Sequence, residues 1–162
     1  MPISCTFTLN KKSVSTLSCA GVGDFAAFSG NDGPSKNNAD YAGVKDVGPL
    51  PPGRYYIVDR GSGGLISQVI SGAKDLWNNT DHSTWFALYR DDEFIDDETF
   101  FKGIVRDHFR LHPHGMANVS QGCITLVDIP AFNQLRKRLL GTVRVPLPNG
   151  KGFAYGTVEV KE

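Results

Sequence analysis

The chain has 162 residues, and its 17 Lys and Arg residues balance 17 Asp and Glu residues. This length suits a single domain that buries its own hydrophobic core, so we expect one domain over residues 1–162. A net charge of zero argues against nucleic acid as a partner, because binding to nucleic acid depends on neutralising phosphate. No apolar run reaches the roughly 18 residues of a membrane span.

The N-terminal residues carry no visible export signal. The stretch from Met1 to Cys5 lacks a basic region followed by an apolar segment. We therefore expect the protein to be made in the cytoplasm. If it acts outside the cell, another export route must carry it there.

The first predicted element is a β-hairpin, because residues 3–9 and residues 14–19 both alternate loosely between apolar and polar side chains. Cys5 and Cys19 lie in its two strands. The preferred interpretation is that they are two small buried residues, and a disulfide is the alternative. The third cysteine, Cys123, makes the total odd, which argues against a pure disulfide framework.

The central part of the chain combines a polar loop with further short elements. Residues 21–48 are rich in Gly, Asn, Asp and Ser and predict a short strand followed by a long surface loop. A rigid turn at Gly48–Gly53 precedes a strand over Tyr55–Val58, which is aromatic and β-branched. The apolar spacing from Leu65 to Trp77 predicts a helix.

The next elements are mainly short strands. We predict strands over Thr84–Tyr89 and Gly103–His112, separated by an acidic loop over Asp91–Glu98. Residues 143–147 and 153–160 are expected to form a closing hairpin around Pro148-Asn149-Gly150.

A second helix is predicted between an N-cap at Asp128 and a final glycine at Gly141, with Pro130 in its first turn. Four side chains are expected to face inward: Phe132, Leu135, Leu139 and Leu140. With the helix over Leu65–Trp77 this makes about two helices, so the fold class is mainly β, in the form of a β-rich α+β domain.

The segment from Phe109 to Leu126, FRLHPHGMANVSQGCITL, carries the candidate chemistry. A strand delivers His112, a turn follows, and Ser120-Gln121-Gly122-Cys123 precedes an apolar run. A cysteine nucleophile reacts as the thiolate and needs a base such as His within hydrogen-bond reach. Gly122 suits a sharp turn whose N–H groups face an oxyanion, and Ser120 could orient the base.

These motifs resemble the L,D-transpeptidase family of peptidoglycan enzymes. The spacing of His112 and Ser120-x-Gly122-Cys123 is similar to its catalytic motif, and Gly48–Ile57 resembles its Pro-x-Gly-x-Tyr-x-Ile strand. Phe-Ala-Ala-Phe-Ser-Gly at 25–30 and the pair Asn37-Asn38 extend the resemblance to small antibacterial toxins delivered by the type VI secretion system. The matching blocks are scattered from about residue 20 to residue 127.

The resemblance implies an L,D-transpeptidase-like β-sandwich that acts on tetrapeptide stems of peptidoglycan, as an L,D-carboxypeptidase or by exchange. It implies Cys123 as nucleophile, His112 as general base and Ser120 as the residue that orients His112. The N–H groups of Gly122 and Cys123 would form the oxyanion hole. It implies no cofactor or metal, delivery into the target-cell periplasm, and an immunity protein and a secretion-system carrier as partners.

The sequence departs from the family at the expected substrate contacts. Gln121 replaces a histidine, and Thr125 replaces an arginine that would hold the substrate carboxylate. Arg110 lies on the same predicted strand face as His112 and could substitute for that arginine, or it is an ordinary surface residue. His114 is an alternative base, although Pro113 is expected to turn it off the strand. Arg110, His114 and Gln121 are therefore the candidate substrate-binding residues.

Other interpretations stay open. His108, His112 and His114 share one parity and could hold zinc in a hydrolase, alone or with Cys123, if the strand were unbroken. A non-catalytic cell-wall-binding module would instead bury Cys123 in its core. A papain-like amidase is disfavoured, because such enzymes place Cys before His in the chain.

Overall fold

The computed structural model of the chain describes residues 2–60, 84–115 and 121–162. Within these ranges the chain forms eleven strands, a 3-10 turn at Ala39–Tyr41 and one α-helix, α1, at Ile129–Leu140. The strands are β1 Ile3–Thr8, β2 Ser15–Cys19, β3 Gly23–Phe28, β4 Gly53–Asp59, β5 Phe86–Arg90, β6 Glu98–Phe101, β7 Ile104–Asp107, β8 Arg110–Pro113, β9 Ile124–Leu126, β10 Val145–Pro146 and β11 Phe153–Lys161. The helix predicted over Leu65–Trp77 lies outside the described residues.

The main sheet closes on itself. Its strands run in the order β1-β2-β3-β9-β8-β5-β4-β11, and β1 pairs in parallel with β11, which gives an eight-stranded barrel with β10 attached to β11. The mainly β prediction is confirmed, but the expected sandwich is wrong. Closure depends on Gly156, which lies opposite Ile3, because a Cβ there would come within 1.9 Å of the Ile3 carbonyl oxygen.

The opening hairpin is confirmed, since β1 and β2 pair antiparallel with Cys5 opposite Cys19. These two cysteines form a disulfide across a sequence separation of 14. The preferred interpretation as two free buried residues was therefore wrong. Both side chains are buried, so the covalent link lies inside the barrel core.

Helix α1 closes the core as its sequence predicted. The Asp128 side chain accepts a hydrogen bond from the Ala131 N–H, and Gly141 ends the helix. Phe132, Leu135 and Leu139 are buried, whereas Leu140 is 44% exposed, so its predicted inward position was wrong. Among the described residues, no helix is both long and apolar enough to cross a membrane.

The segment predicted as one strand over Gly103–His112 forms two strands. Among the described strands, β7 pairs with β6 alone in a separate two-stranded sheet, while β8 joins the barrel between β5 and β9. His108 lies at the break with a φ of 58°, in the left-handed region that interrupts a strand. The closing hairpin is confirmed, because β10 and β11 pair antiparallel.

Candidate active site

The parallel pair β8–β9 carries the histidine on β8 and begins, on β9, directly after the cysteine. Leu111 lies opposite Ile124 and belongs with it to the core, while His112 lies opposite Thr125. Successive side chains of a strand alternate between faces, so His112 and Thr125 project away from that core. Cys123 directly precedes β9, and its thiol lies beside the start of β8, where the backbone N–H of Arg110 binds it.

The His112 ring is held from two sides. Its Nδ1 lies 2.8 Å from the carbonyl oxygen of Pro113, and its face stacks on Trp85 with ring centroids 4.1 Å apart and an interplanar angle of 17°. A carbonyl can only accept, so Nδ1 carries the proton and neutral His112 keeps its lone pair on Nε2. Nε2 lies 3.4 Å from the Thr125 hydroxyl oxygen, on the β9 side of the ring.

Cys123 is a free thiol of intermediate exposure. Its Sγ lies 3.7 Å from the carbonyl oxygen of His108. Burial raises the pKa of Cys123 from 9.0 to about 11, and the Asp97 carboxylate adds to this rise. The backbone N–H of Arg110 and the positive charges of Arg110 and Arg106 oppose it. The resting group at neutral pH is therefore the thiol, which needs a base during the reaction.

The turn before the cysteine requires glycine. Gly122 has a φ of 107°, in the region that side chains disfavour. A Cβ at this position would lie 2.3 Å from Cε1 of Phe109 and 2.7 Å from Nη2 of Arg106. Its carbonyl oxygen accepts a hydrogen bond from the buried hydroxyl of Ser29 at 3.2 Å.

Arg106 is a residue that the sequence analysis missed. Its side chain is only 1% exposed, and its guanidinium lies 4.9 Å from the centre of the Phe109 ring. The guanidinium donates to four backbone carbonyls, those of Ala42, Gly48, Pro49 and Gln121. Burial lowers the pKa of Arg106, and nothing in the sequence pattern around it signals this environment.

Arg110 is engaged within the protein. Its two terminal nitrogens lie 2.5 Å and 2.9 Å from the two carboxylate oxygens of Asp97, and its side chain is 12% exposed. Such a bidentate ion pair fixes the orientation of the guanidinium plane. Any substrate carboxylate at Arg110 would have to compete with, or share the guanidinium with, Asp97.

The other predicted site residues are spread around this centre. Gln121 is exposed, and its backbone carbonyl oxygen accepts a hydrogen bond from Arg106. β8 ends at Pro113, although the His114 N–H still donates to the Leu126 carbonyl at 2.7 Å. The His114 and Phe28 rings make a T-shaped contact. Ser120 lies outside the described residues.

The three histidines do not support the zinc interpretation. The His108 side chain is 73% exposed and lies near Asp107 and Asp97, at the strand break, whereas His112 is buried on β8. Across residues 2–60, 84–115 and 121–162, no group of three His, Cys, Asp or Glu side chains could hold a metal ion.

Comparison with known protein families identifies a match over most of the chain. The family model of the Tlde1 domain matches residues 23–149, well over half of the chain and all of the β3 to β9 region that builds the site. It supports the expected kinship with type VI secretion effector domains. No curated protein and no solved structure matches the chain. On the extent of the match, the chain belongs to the Tlde1 domain family.

Proposed function

We propose that this chain is a cysteine-dependent peptidoglycan enzyme that acts on tetrapeptide stems, as an L,D-carboxypeptidase or by exchange of the terminal residue. The observation that carries the proposal is the arrangement across β8 and β9. The Nδ1 proton of His112 binds the Pro113 carbonyl, so the basic Nε2 faces the strand that Cys123 precedes.

The proposed proton transfer requires the two side chains to meet across β8 and β9. Neighbouring strands lie about 4.8 Å apart and alternate residues about 6.6 Å apart along a strand, so Cα atoms in this diagonal relationship are about 8 Å apart. His112 lies opposite Thr125, and Cys123 comes two residues before Thr125, so we take this spacing as the guide for the pair. The proposed mechanism requires the imidazole and the thiol to close that gap between them.

The proposed reaction begins with a neutral thiol. Nε2 of His112 takes the Cys123 proton as the sulfur attacks the carbonyl carbon of the third stem residue, and a C–S bond forms. The oxyanion lies against the N–H groups of Gly122 and Cys123. Collapse of this intermediate breaks the C–N bond, and the imidazolium gives its proton to the leaving D-Ala amine. Water or an amine then takes the acyl group from the sulfur.

The partial exposure of Cys123 supports access of a substrate to its thiol. Cys123 keeps intermediate exposure although its neighbours Gly122 and Ile124 are buried. A purely structural cysteine would be sealed among the core residues, and Cys123 is not part of that cluster. This exposure supports an enzyme over a binding module in which Cys123 only fills the core.

Mass spectrometry of muropeptides tests the proposal. The wild-type protein should shorten tetrapeptide stems by one residue or exchange that residue, and both Cys123→Ala and His112→Ala should abolish this change while keeping the native circular dichroism spectrum. Full turnover by Cys123→Ala would refute the mechanism, and intact muropeptides with the wild-type protein would refute the substrate.

The Tlde1 domain match also supports a proposed place of action. We propose delivery into the periplasm of a target cell, with an immunity protein that protects the producer. Expression of the chain fused to an export signal should stop growth, whereas expression confined to the cytoplasm should not. Equal growth in both cases would count against a cell-wall target.

A further inference from the structure

We propose that Arg106 and Ser29 are positioning residues that aim the N–H groups of Gly122 and Cys123 at the oxyanion of the acyl-transfer step. This inference rests on the proposed function, because it assigns the machinery behind its oxyanion hole. The two side chains are buried, and both lie outside the segment from Phe109 to Leu126.

The geometry of the peptide bond carries the argument. In a trans peptide the C=O and the N–H point in opposite directions, and the described residues contain no cis peptide. The Gln121 carbonyl accepts from Nη2 of Arg106, and the Gly122 carbonyl accepts from the Ser29 hydroxyl, both at 3.2 Å. The N–H groups in those same two peptides belong to Gly122 and Cys123. With both carbonyls tied to buried donors, both N–H groups are directed away from those donors.

Two hydrogen bonds fix the orientation of the Ser29 hydroxyl. Its oxygen accepts a hydrogen bond from the Leu50 N–H at 2.8 Å, so its single proton is directed to the Gly122 carbonyl. The backbone of Ser29 is itself held at both groups by Asn37, which is fully buried. Ser29 thus links the loop of residues 29–50 to the nucleophile turn.

Arg106 adds charge to the same arrangement. Its described hydrogen-bond partners are four carbonyl oxygens, and no carboxylate among the described residues forms an ion pair with it. A charged donor on the Gln121 carbonyl polarises that peptide and makes its N–H, which belongs to Gly122, a stronger donor. Arg106 also packs closely against the turn, since its Nη2 would lie only 2.7 Å from a Cβ at Gly122.

A comparison of two reactions of Cys123 isolates this role. Acylation by p-nitrophenyl acetate passes through an oxyanion: the sulfur forms a C–S bond with the carbonyl carbon, and p-nitrophenolate leaves. Alkylation by iodoacetamide displaces iodide from a saturated carbon and forms no oxyanion. The two rate constants would be measured at one pH for wild type, Arg106→Lys and Ser29→Ala, by mass spectrometry of the modified protein.

Arg90→Lys is the matched control. Arg90 also donates to two backbone carbonyls, those of Phe100 and Pro52, at 2.8 Å and 2.9 Å, but it does not contact the nucleophile turn. The same substitution there removes comparable carbonyl contacts and leaves the Gln121 and Gly122 carbonyls untouched. Thermal unfolding of each variant identifies any that does not fold, and Ser29→Ala tests the proposal if Arg106→Lys is one of these.

We expect Arg106→Lys to lower the acylation rate constant about 100-fold and Ser29→Ala to lower it about tenfold, with alkylation changed less than about twofold. Arg90→Lys should change neither rate. A parallel fall in acylation and alkylation, or unchanged acylation in a folded variant, would overturn the inference. Because this assay uses no muropeptide, inactivity on tetrapeptide stems would refute the proposed substrate and leave the role of Arg106 and Ser29 to be decided by the two rates.

Discussion

The imidazole of His112 and the hydroxyl of Thr125 face each other across the β8–β9 pair, with Nε2 3.4 Å from Oγ1. The other ring nitrogen is committed to the Pro113 carbonyl. The residue after the histidine therefore fixes the tautomer through its own backbone, and no second side chain is needed for that task. In the sequence Ser120 was the candidate for it.

Replacing His112 by Gln should lower turnover of tetrapeptide muropeptides by about 10²-fold or more, because an amide at this position can hydrogen-bond but cannot take a proton from Cys123. Turnover would be followed by chromatography of muropeptides. His108→Gln is the matched control, since the His108 side chain is 73% exposed and lies off the β8 face. Loss of activity in His108→Gln that zinc restores would revive the metal interpretation.

The raised pKa of Cys123 predicts a distinctive pH dependence of thiol reactivity. Because burial lifts this pKa to about 11, little thiolate exists in the resting protein at pH 7. Iodoacetamide should therefore react slowly with native protein at pH 7, and the rate should rise up to about pH 11. Fast labelling at neutral pH with a plateau below pH 8 would show a preformed thiolate instead.

The same shift predicts how stability changes with pH. The folded protein retains the thiol proton between pH 9.0 and about 11, while the unfolded chain has released it, so the unfolded state gains relative stability as pH rises through this window. The free energy of unfolding of the wild type should fall from pH 9 to pH 11 relative to Cys123→Ala, as measured by urea titration. Parallel curves for the two proteins would contradict this.

The ion pair between Arg110 and Asp97 should tune the nucleophile. The Asp97 carboxylate raises the pKa of Cys123 and the Arg110 charge lowers it. Asp97→Asn should therefore speed alkylation of Cys123 at pH 8, and Arg110→Met should slow it. Asp96→Asn is a suitable control, because the Asp96 side chain binds the Glu98 N–H instead. Slower alkylation in Asp97→Asn, or faster alkylation in Arg110→Met, would refute this electrostatic account.

Local patterns in the sequence predicted the elements that depend on neighbouring residues. The opening hairpin, the capped helix between Asp128 and Gly141, and the closing hairpin are all present. Barrel closure could not be foreseen, because the β1–β11 pairing joins opposite ends of the chain. The strand break at His108 was also missed, since no Gly or Pro marks the positive φ there.

The candidate site also contains residues that the sequence could indicate and residues that it could not. His112 and Cys123 could be proposed from their types and spacing, and they lie on β8 and directly before β9, its parallel neighbour. Arg106 and Ser29 could not be found, because the role proposed for them comes from contacts across 15 and 93 positions with two carbonyls. Every residue has a backbone carbonyl, so the sequence does not indicate which side chain will bind a particular one.

The disulfide between Cys5 and Cys19 should stabilise the barrel by about 3 kcal/mol, because a link of this span restricts the unfolded chain. Reduction, or the double substitution Cys5→Ser and Cys19→Ser, should therefore lower the free energy of unfolding measured by urea titration. The reductant should not change the stability of the double variant, which serves as the control. Activity should persist in folded reduced protein, since the link joins β1 and β2, away from β8 and β9. Equal stability of oxidised and reduced wild type would show that the strand pairing, rather than the covalent link, holds this edge of the barrel.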